Sequence, residues 1–170
     1  WGLQIGLRAE NTNVTGDQKG NAQQNDSSFT RSYINIFPTS FLSYAANEKN
    51  QFSLSYGKRI DRPNYEFLNP FVFYIDNYTY QTGNPFFQPQ ITNNIELTHV
   101  FKGFLSTTLN YSNTNRIFAE SFTQKDYATI VSRSNVGRRT NMGIAVNAQI
   151  EAKKIYSTNI YLNYSYDKYL

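Results

Sequence analysis

Strict alternation of apolar and polar residues, repeated in run after run, is what most limits the folds open to this chain. Trp1, Leu3, Ile5, Leu7 and Ala9 share one side of an extended segment, and Gln4, Gly6, Arg8 and Glu10 share the other. That is the period of a strand with one dry and one wet face. The pattern returns at Phe52, Leu54 and Tyr56 against Ser53, Ser55, Gly57 and Arg59, and at Ile91, Ile95, Leu97 and Phe101 against Asn94, Glu96 and Thr98. It returns again at Leu105, Thr107, Leu109 and Tyr111, at Met142, Ile144, Val146, Ala148 and Ile150, and at Ile160, Leu162, Tyr164 and Tyr166. A further strand is predicted from Phe29 to Ala45, where Ile34 and Ile36 share a parity with Leu42 and Tyr44 while Tyr33, Phe37 and Phe41 take the other. Pro38 interrupts that run, and a bulge there is expected to re-aim the side chains.

The connections sort by length. Asn47 to Asn50, Lys102-Gly103 and Glu151 to Ile155 read as short turns, whereas Asn11 to Ser28 reads as a polar exposed loop and a long segment follows Arg59. Gln124 to Tyr127 reads as an outer turn. The stretch from Ala128 to Ile150 exceeds the roughly 9 to 11 residues of a tilted membrane strand, so its upper half, with Arg133, Arg138 and Arg139, is expected to project beyond lipid. The expected fold is all-β: about seven strands of an antiparallel up-and-down transmembrane β-barrel segment, with short periplasmic turns and long extracellular loops. Lys58 falls on the apolar parity, which puts the membrane boundary close to Tyr56, where its stem can snorkel.

Composition narrows the alternatives. No apolar run approaches the 18 residues of a membrane helix, yet barrel strands average out to mild hydropathy. The polar faces are rich in Ser, Thr, Asn and Gln and suit a hydrated lumen, while Tyr44, Tyr56, Tyr111, Tyr164 and Tyr166 at strand ends suit an interfacial girdle. Tyr and Thr are also simply good strand formers. The absence of cysteine removes disulfides and thiolate metal sites, and the lone His99 removes a His-rich one. The net charge of +4 is scattered, and the pairs Arg138-Arg139 and Lys153-Lys154 are too small for a nucleic-acid footprint. No nucleophile elbow, phosphate loop or metal-ligand spacing occurs, so no catalytic residue, cofactor or enzyme activity is expected. The start at Trp1 without a leader and the stop at Leu170 inside an alternating run read as an internal piece of something larger.

Arg59 to Asn94 stands apart, with four of the chain's five prolines and a dense set of aromatics. Connections in compact domains usually run about 4 to 6 residues, so residues 63–90 are expected to form one large folded extracellular loop. Tyr65, Phe71, Tyr74, Tyr78 and Tyr80 are candidates for a ligand platform, and the competing reading has the loop aromatics packing among themselves. Arg59, Asn94 and Glu96 fall on the lumen parity of the flanking strands as structural residues. Arg59 and Glu96 are expected to pair and pin the loop's base.

The order and spacing of Ser55-Tyr56, Arg59, Arg62-Pro63, Tyr65, Leu68-Asn69-Pro70, Tyr80, Gly83-Asn84-Pro85, Pro89, Asn93-Asn94 and Glu96-Leu97 resemble the β-barrel portion of TonB-dependent outer-membrane receptors. The resemblance is specifically to the outer-membrane β-barrel family found with a carboxypeptidase-regulatory-like domain and a plug, and more loosely it covers most of the chain. It implies that residues 1–170 are part of one barrel domain of about 22 strands with a plugged lumen. The plug, the TonB box, the first strands and the closing strand fall outside the likeness. It further implies an integral protein of the Gram-negative outer membrane that takes up a nutrient. Its partners would be membrane lipid, the plug and remaining strands of the parent chain, a TonB-type energy-coupling protein, and a substrate whose identity the sequence does not give. Two other readings stand beside it: a complete small outer-membrane barrel with a structural or adhesive role, and a soluble carbohydrate-binding β-sandwich.

Overall fold

The structure, a computed structural model, describes residues 1–19, 27–152 and 156–170. Among the described residues nine strands form one sheet: β1 (Gly2–Gln18), β2 (Ser27–Asn47), β3 (Asn50–Asp61), β4 (Val72–Tyr74), β5 (Thr79–Thr82), β6 (Gln90–Phe101), β7 (Leu105–Lys125), β8 (Ala128–Ala152) and β9 (Tyr156–Tyr169). A single helical turn, α1 (Tyr65–Leu68), lies between β3 and β4. The long strands meander in the order β1-β2-β3-β6-β7-β8-β9, each antiparallel to the next. Among the described residues β1 and β9 pair on one side only, so the sheet is an open wall and not a closed small barrel.

Register decides which way each side chain looks. Directly opposed residues of an antiparallel pair point to the same face, and Leu3, Leu42, Leu54, Leu97, Leu109, Ile144 and Tyr164 are successive partners across the whole wall. The next row runs Ile5, Ser40, Tyr56, Ile95, Tyr111, Met142 and Tyr166. Most of these apolar side chains are exposed. An unbroken apolar sheet face of this breadth belongs against hydrocarbon, since soluble monomers rarely expose such patches. The soluble sandwich is thereby overturned: all described strands lie in one sheet, and Leu54, Leu97, Leu109 and Leu162 stay exposed instead of meeting in a shared core.

The opposite face is hydrophilic. Gly6, Thr39, Gly57, Asn94, Ser112, Asn141 and Asp167 form one row. Hydroxyls and amides bond across it, Thr98 to Thr108 at 3.1 Å, Asn110 to Asn141 at 2.9 Å and Asn141 to Asp167 at 2.9 Å. Arg139 adds two hydrogen bonds to the Asp167 carboxylate at 2.9 and 3.1 Å. On the apolar face the row above Tyr56 and Ile95 turns polar, with Lys58, Asn93, Asn113, Thr140 and Lys168 in register. The Tyr56 hydroxyl donates to the Asn93 side-chain oxygen there at 3.0 Å, and this polar row fits a hydrocarbon boundary near Lys58.

Three expectations are corrected. Asn11 to Gln18 is not loop but the upper part of β1, in register with β2 from Ile34 upward; residues 20–26 lie outside the described residues. Pro38 makes no bulge. Pairing with β1 runs unbroken through Leu7 and Pro38, and pairing with β3 ends at Thr39–Gly57, next to the residue that has no N–H to give. Phe37 and Phe41 therefore sit on the polar face, and Ile34, Ile36, Leu42 and Tyr44 on the apolar one. The outer turn is tighter than expected: β7 and β8 stay paired to Lys125–Ala128, leaving Asp126 and Tyr127 at the tip. Of the predicted turn at Glu151 to Ile155, residues 153–155 lie outside the described residues.

At the other end the turns are short. The Asn47 side-chain oxygen Oδ1 accepts from the Lys49 and Asn50 backbone amides at 2.9 Å each, and Lys102 (φ 49°) and Gly103 (φ 71°) turn β6 into β7.

Leu97 lies mid-band on a central strand. We expect Leu97→Arg in the full-length protein to lower folding stability in bilayers by about 2–4 kcal/mol, and Thr98→Arg on the hydrated face to cost clearly less. Urea titration in lipid vesicles compares them; equal losses would contradict the face assignment.

Candidate functional site

The loop from Arg62 to Pro89 is folded by its own sequence. Twice it reads Asn-Pro-Phe, at Asn69 to Phe71 and at Asn84 to Phe86, and in both copies the asparagine side-chain oxygen Oδ1 accepts from the phenylalanine backbone amide, at 3.2 and 2.9 Å. The intervening proline fixes φ and has no donor to lose. Asp76 repeats the device, accepting from the Tyr78 amide at 2.7 Å, and turns β4 into β5. The Asn84 amide reaches the Phe67 carbonyl at 2.7 Å, and the Gly83 amide reaches the Asn69 carbonyl at 2.9 Å. A Cβ on Gly83 would collide with the Asn69 backbone, so only glycine fits that crossing.

This unit spans the wall. At its root the Arg62 guanidinium bonds the Glu10 carboxylate of β1, which also holds Arg8 at 3.0 Å. That hydrogen bond raises the Arg62 pKa above its ordinary value. On β2, Arg31 donates to the Phe87 carbonyl at 2.8 Å and the Pro85 carbonyl at 3.3 Å. On β7, Phe118 packs on Phe87 with ring centroids 4.5 Å apart. On β8, Arg133 lies 3.9 Å over the Phe67 ring, and Asn135 binds the Gln88 backbone at both ends, accepting from its amide and donating to its carbonyl at 2.8 Å each. The Asn135 amide nitrogen also reaches the Arg116 carbonyl at 3.0 Å. Finally β5 adds to the upper edge of β8 in parallel, Thr79 to Gln81 beside Thr129 to Val131.

The aromatics divide. Phe87 is 1% exposed and Phe37, on the polar face of β2, 2%. Tyr74 and Phe86 are each 82% exposed, and Tyr65, Phe71 and Tyr78 also face solvent. Tyr80 is half-buried, its ring 6.2 Å from that of Tyr74. On the polar face Asn94 lies opposite Gly57, and Glu96 opposite Ser55.

The expected Arg59–Glu96 pair does not form. Register sets Arg59 opposite Thr92, four positions or roughly 13 Å along the ladder from Glu96. The ion pair at the root joins Arg62 and Glu10 instead. Arg31, Glu10, Phe118 and Asn135 were invisible as loop partners in sequence, because they lie on strands far from it.

The family pattern for outer membrane β-barrel proteins matches residues 1–170. The chain belongs to the outer membrane protein beta-barrel family. This outer-membrane chain has no match among curated proteins. Its fold is shared with the siderophore receptor PirA from Pseudomonas aeruginosa, with a TM-score of 0.72 at 14% identity, over 98% of this chain and 35% of that one. The copper transporter OprC gives 0.70 at 13% identity, over 98% and 27% of the two chains. The hemophore receptor HasR of Serratia marcescens, solved with its hemophore HasA and heme, gives 0.70 at 15% identity, over 96% and 31%. This outer-membrane barrel chain thus spans about a third of the length of these structures.

Asn135→Ala in the full-length protein should loosen the loop by about 1–3 kcal/mol of local stability, read as faster protease cleavage within residues 63–90. Arg62→Ala removes an exposed pair and should change cleavage little. Equal cleavage in the two variants would show that Asn135 is not the principal clasp.

Proposed function

We propose that residues 1–170 are part of the wall of a plugged, TonB-dependent receptor of the Gram-negative outer membrane, which imports a nutrient through a barrel of about 22 strands. The observation that carries this reading is the seven-strand row from Leu3 to Tyr164, apolar toward lipid and backed by a hydrated face. Seven strands are roughly a third of such a barrel, in keeping with the share of the solved receptors and transporter that the chain overlays. The sequence resemblance adds the plug, which would fill the space beside Asn94 and Glu96, and the energy-coupling protein, which would act through the parent chain.

In this reading residues 63–90 face the cell exterior. A loop tied to β1, β2, β7 and β8 at once holds its shape over the mouth, and its exposed tyrosines, Tyr65, Tyr74 and Tyr78 with Phe71 and the half-buried Tyr80, would meet arriving substrate as rigid contact area. The short turns would face the periplasm, as they do in barrels of this kind.

Because these residues contain no cysteine, sidedness has a direct test. In intact cells expressing the full-length receptor, Tyr74→Cys should react with a membrane-impermeant maleimide, and Lys49→Cys, in the β2–β3 turn, only after permeabilisation. The reverse pattern would invert the topology. Ligand accumulation by the same cells should stop when the proton gradient is collapsed; accumulation that continues would remove energy coupling.

A further inference from the structure

Three cations stand on the lipid-facing side of the wall, just above its apolar band. Lys58 and Lys168 flank the polar stretch that runs through Asn93, Asn113 and Thr140, and four strand steps set them roughly 19 Å apart. Arg138 lies opposite Asn115 in the next row up, diagonal to Lys168 and about 7–8 Å from it. Parity parts these groups from their chain neighbours. Arg139 and Asp167 turn to the hydrated face and pair there, whereas Arg138 and Lys168 turn outward and are exposed. Neither outward row carries an acidic side chain, and among the described residues Lys58, Arg138 and Lys168 form no ion pair. The Arg138 Nε donates to the Asn115 side-chain oxygen at 2.8 Å, which orients the guanidinium and leaves its two terminal nitrogens for another acceptor.

We propose that this surface binds a phosphorylated glycolipid of the outer leaflet, with Arg138 and Lys168 sharing one phosphate and Lys58 meeting the far side of the headgroup. The leaflet rests on the receptor reading above. Height is the first argument. The cations follow directly on the row that holds Tyr56, Tyr111 and Tyr166, so they stand at headgroup level and not among acyl chains. Charge is the second. Cations without acidic partners beside a membrane attract anionic headgroups, and a guanidinium with both terminal nitrogens free can grip a phosphate through two parallel hydrogen bonds. Breadth is the third. A lone phospholipid phosphate at Arg138 and Lys168 would leave Lys58 out of reach. Between them Asn93 keeps its amide nitrogen and Asn113 its side-chain oxygen free of partners among the described residues, a donor and an acceptor that sugar hydroxyls satisfy.

The test uses the full-length protein in neutral detergent and follows diphosphoryl lipid A by native mass spectrometry. It should bind, and enzymatically dephosphorylated lipid A or phosphatidylglycerol should bind about tenfold more weakly. Lys168→Gln, Arg138→Gln and Lys58→Gln should each weaken lipid A binding about 5-fold, the scale of one cation beside an anionic surface. Lys49→Gln, in the β2–β3 turn at the opposite end, should change nothing. Arg138 holds Asn115, so heat-modifiable migration checks the fold of that variant; the Lys168 side chain is exposed, and Lys168→Gln decides. No binding of lipid A, equal binding of the dephosphorylated form or of phosphatidylglycerol, or binding that Lys168→Gln leaves unchanged overturns the proposal. Displacement of lipid A by millimolar inorganic phosphate would overturn it too, by making this a free-anion site, and so would an equal loss in Lys49→Gln. Any of these failures with Tyr74→Cys labelled from outside removes this inference alone. Lipid A binding with inverted labelling would remove the orientation of the receptor, and with it the outer leaflet as the source.

Discussion

A backbone amide in hydrocarbon has no water to bond, so each strand must find both of its neighbours before any side chain matters. In this chain the meander supplies those neighbours in sequence order, β1 to β2 to β3, then β6 to β9, and register follows from short turns at one end. Once register is set, alternation does the sorting. A slip of one residue anywhere would turn a leucine row toward water and a serine row toward lipid, and no such slip breaks the rows through Leu54 and Gly57.

The long connection from β3 to β6 satisfies the same demand by other means. Outside the bilayer its backbone can meet water, yet it is folded on itself by three carboxamide or carboxylate turns at Asn69, Asp76 and Asn84. It is then clasped by side chains that imitate a neighbouring strand. Asn135 does this most directly, because its amide offers Gln88 the same donor and acceptor that a paired residue would. Arg31 and Arg133 act alongside it, one through two carbonyls and the other through an aromatic face. The result is a loop anchored at several separated strands, which is what a surface feature needs to present its tyrosines in a fixed arrangement.

Between wall and loop lies a change of partner on β8. Its lower part pairs with β9 up to Arg139–Tyr169, and its upper part pairs with β5. At the changeover Arg116 (φ 60°) and Gly137 (φ 50°) face each other across β7 and β8, both in the left-handed region. Gly137 is required twice over there: a side chain is disfavoured at that φ, and a Cβ would strike the Leu170 carbonyl, which accepts from the Arg138 amide. Above this kink β7 and β8 continue as a two-stranded ribbon ending in Tyr127, and the ribbon's edge is free for β5.

Alternation alone determined the wall. Strand number, the two faces, the boundary at Lys58 and the short turns all follow from a period of two and a few turn residues, because a lipid-spanning strand has no other way to satisfy both its backbone and its two solvents. The loop's Asn-Pro-Phe turns are local too, each closed within three residues. What pins the loop is not. Arg59 and Glu96 share a face, but which residue opposes which depends on the β3–β6 register, and that brings Thr92 to Arg59. Likewise the uninterrupted β1–β2 ladder, and not Pro38, decided that Phe37 points inward. Glu10, Arg31, Phe118 and Asn135 converge on the loop only after the sheet has carried distant segments to one mouth, and contacts across that distance leave no periodic trace in a sequence.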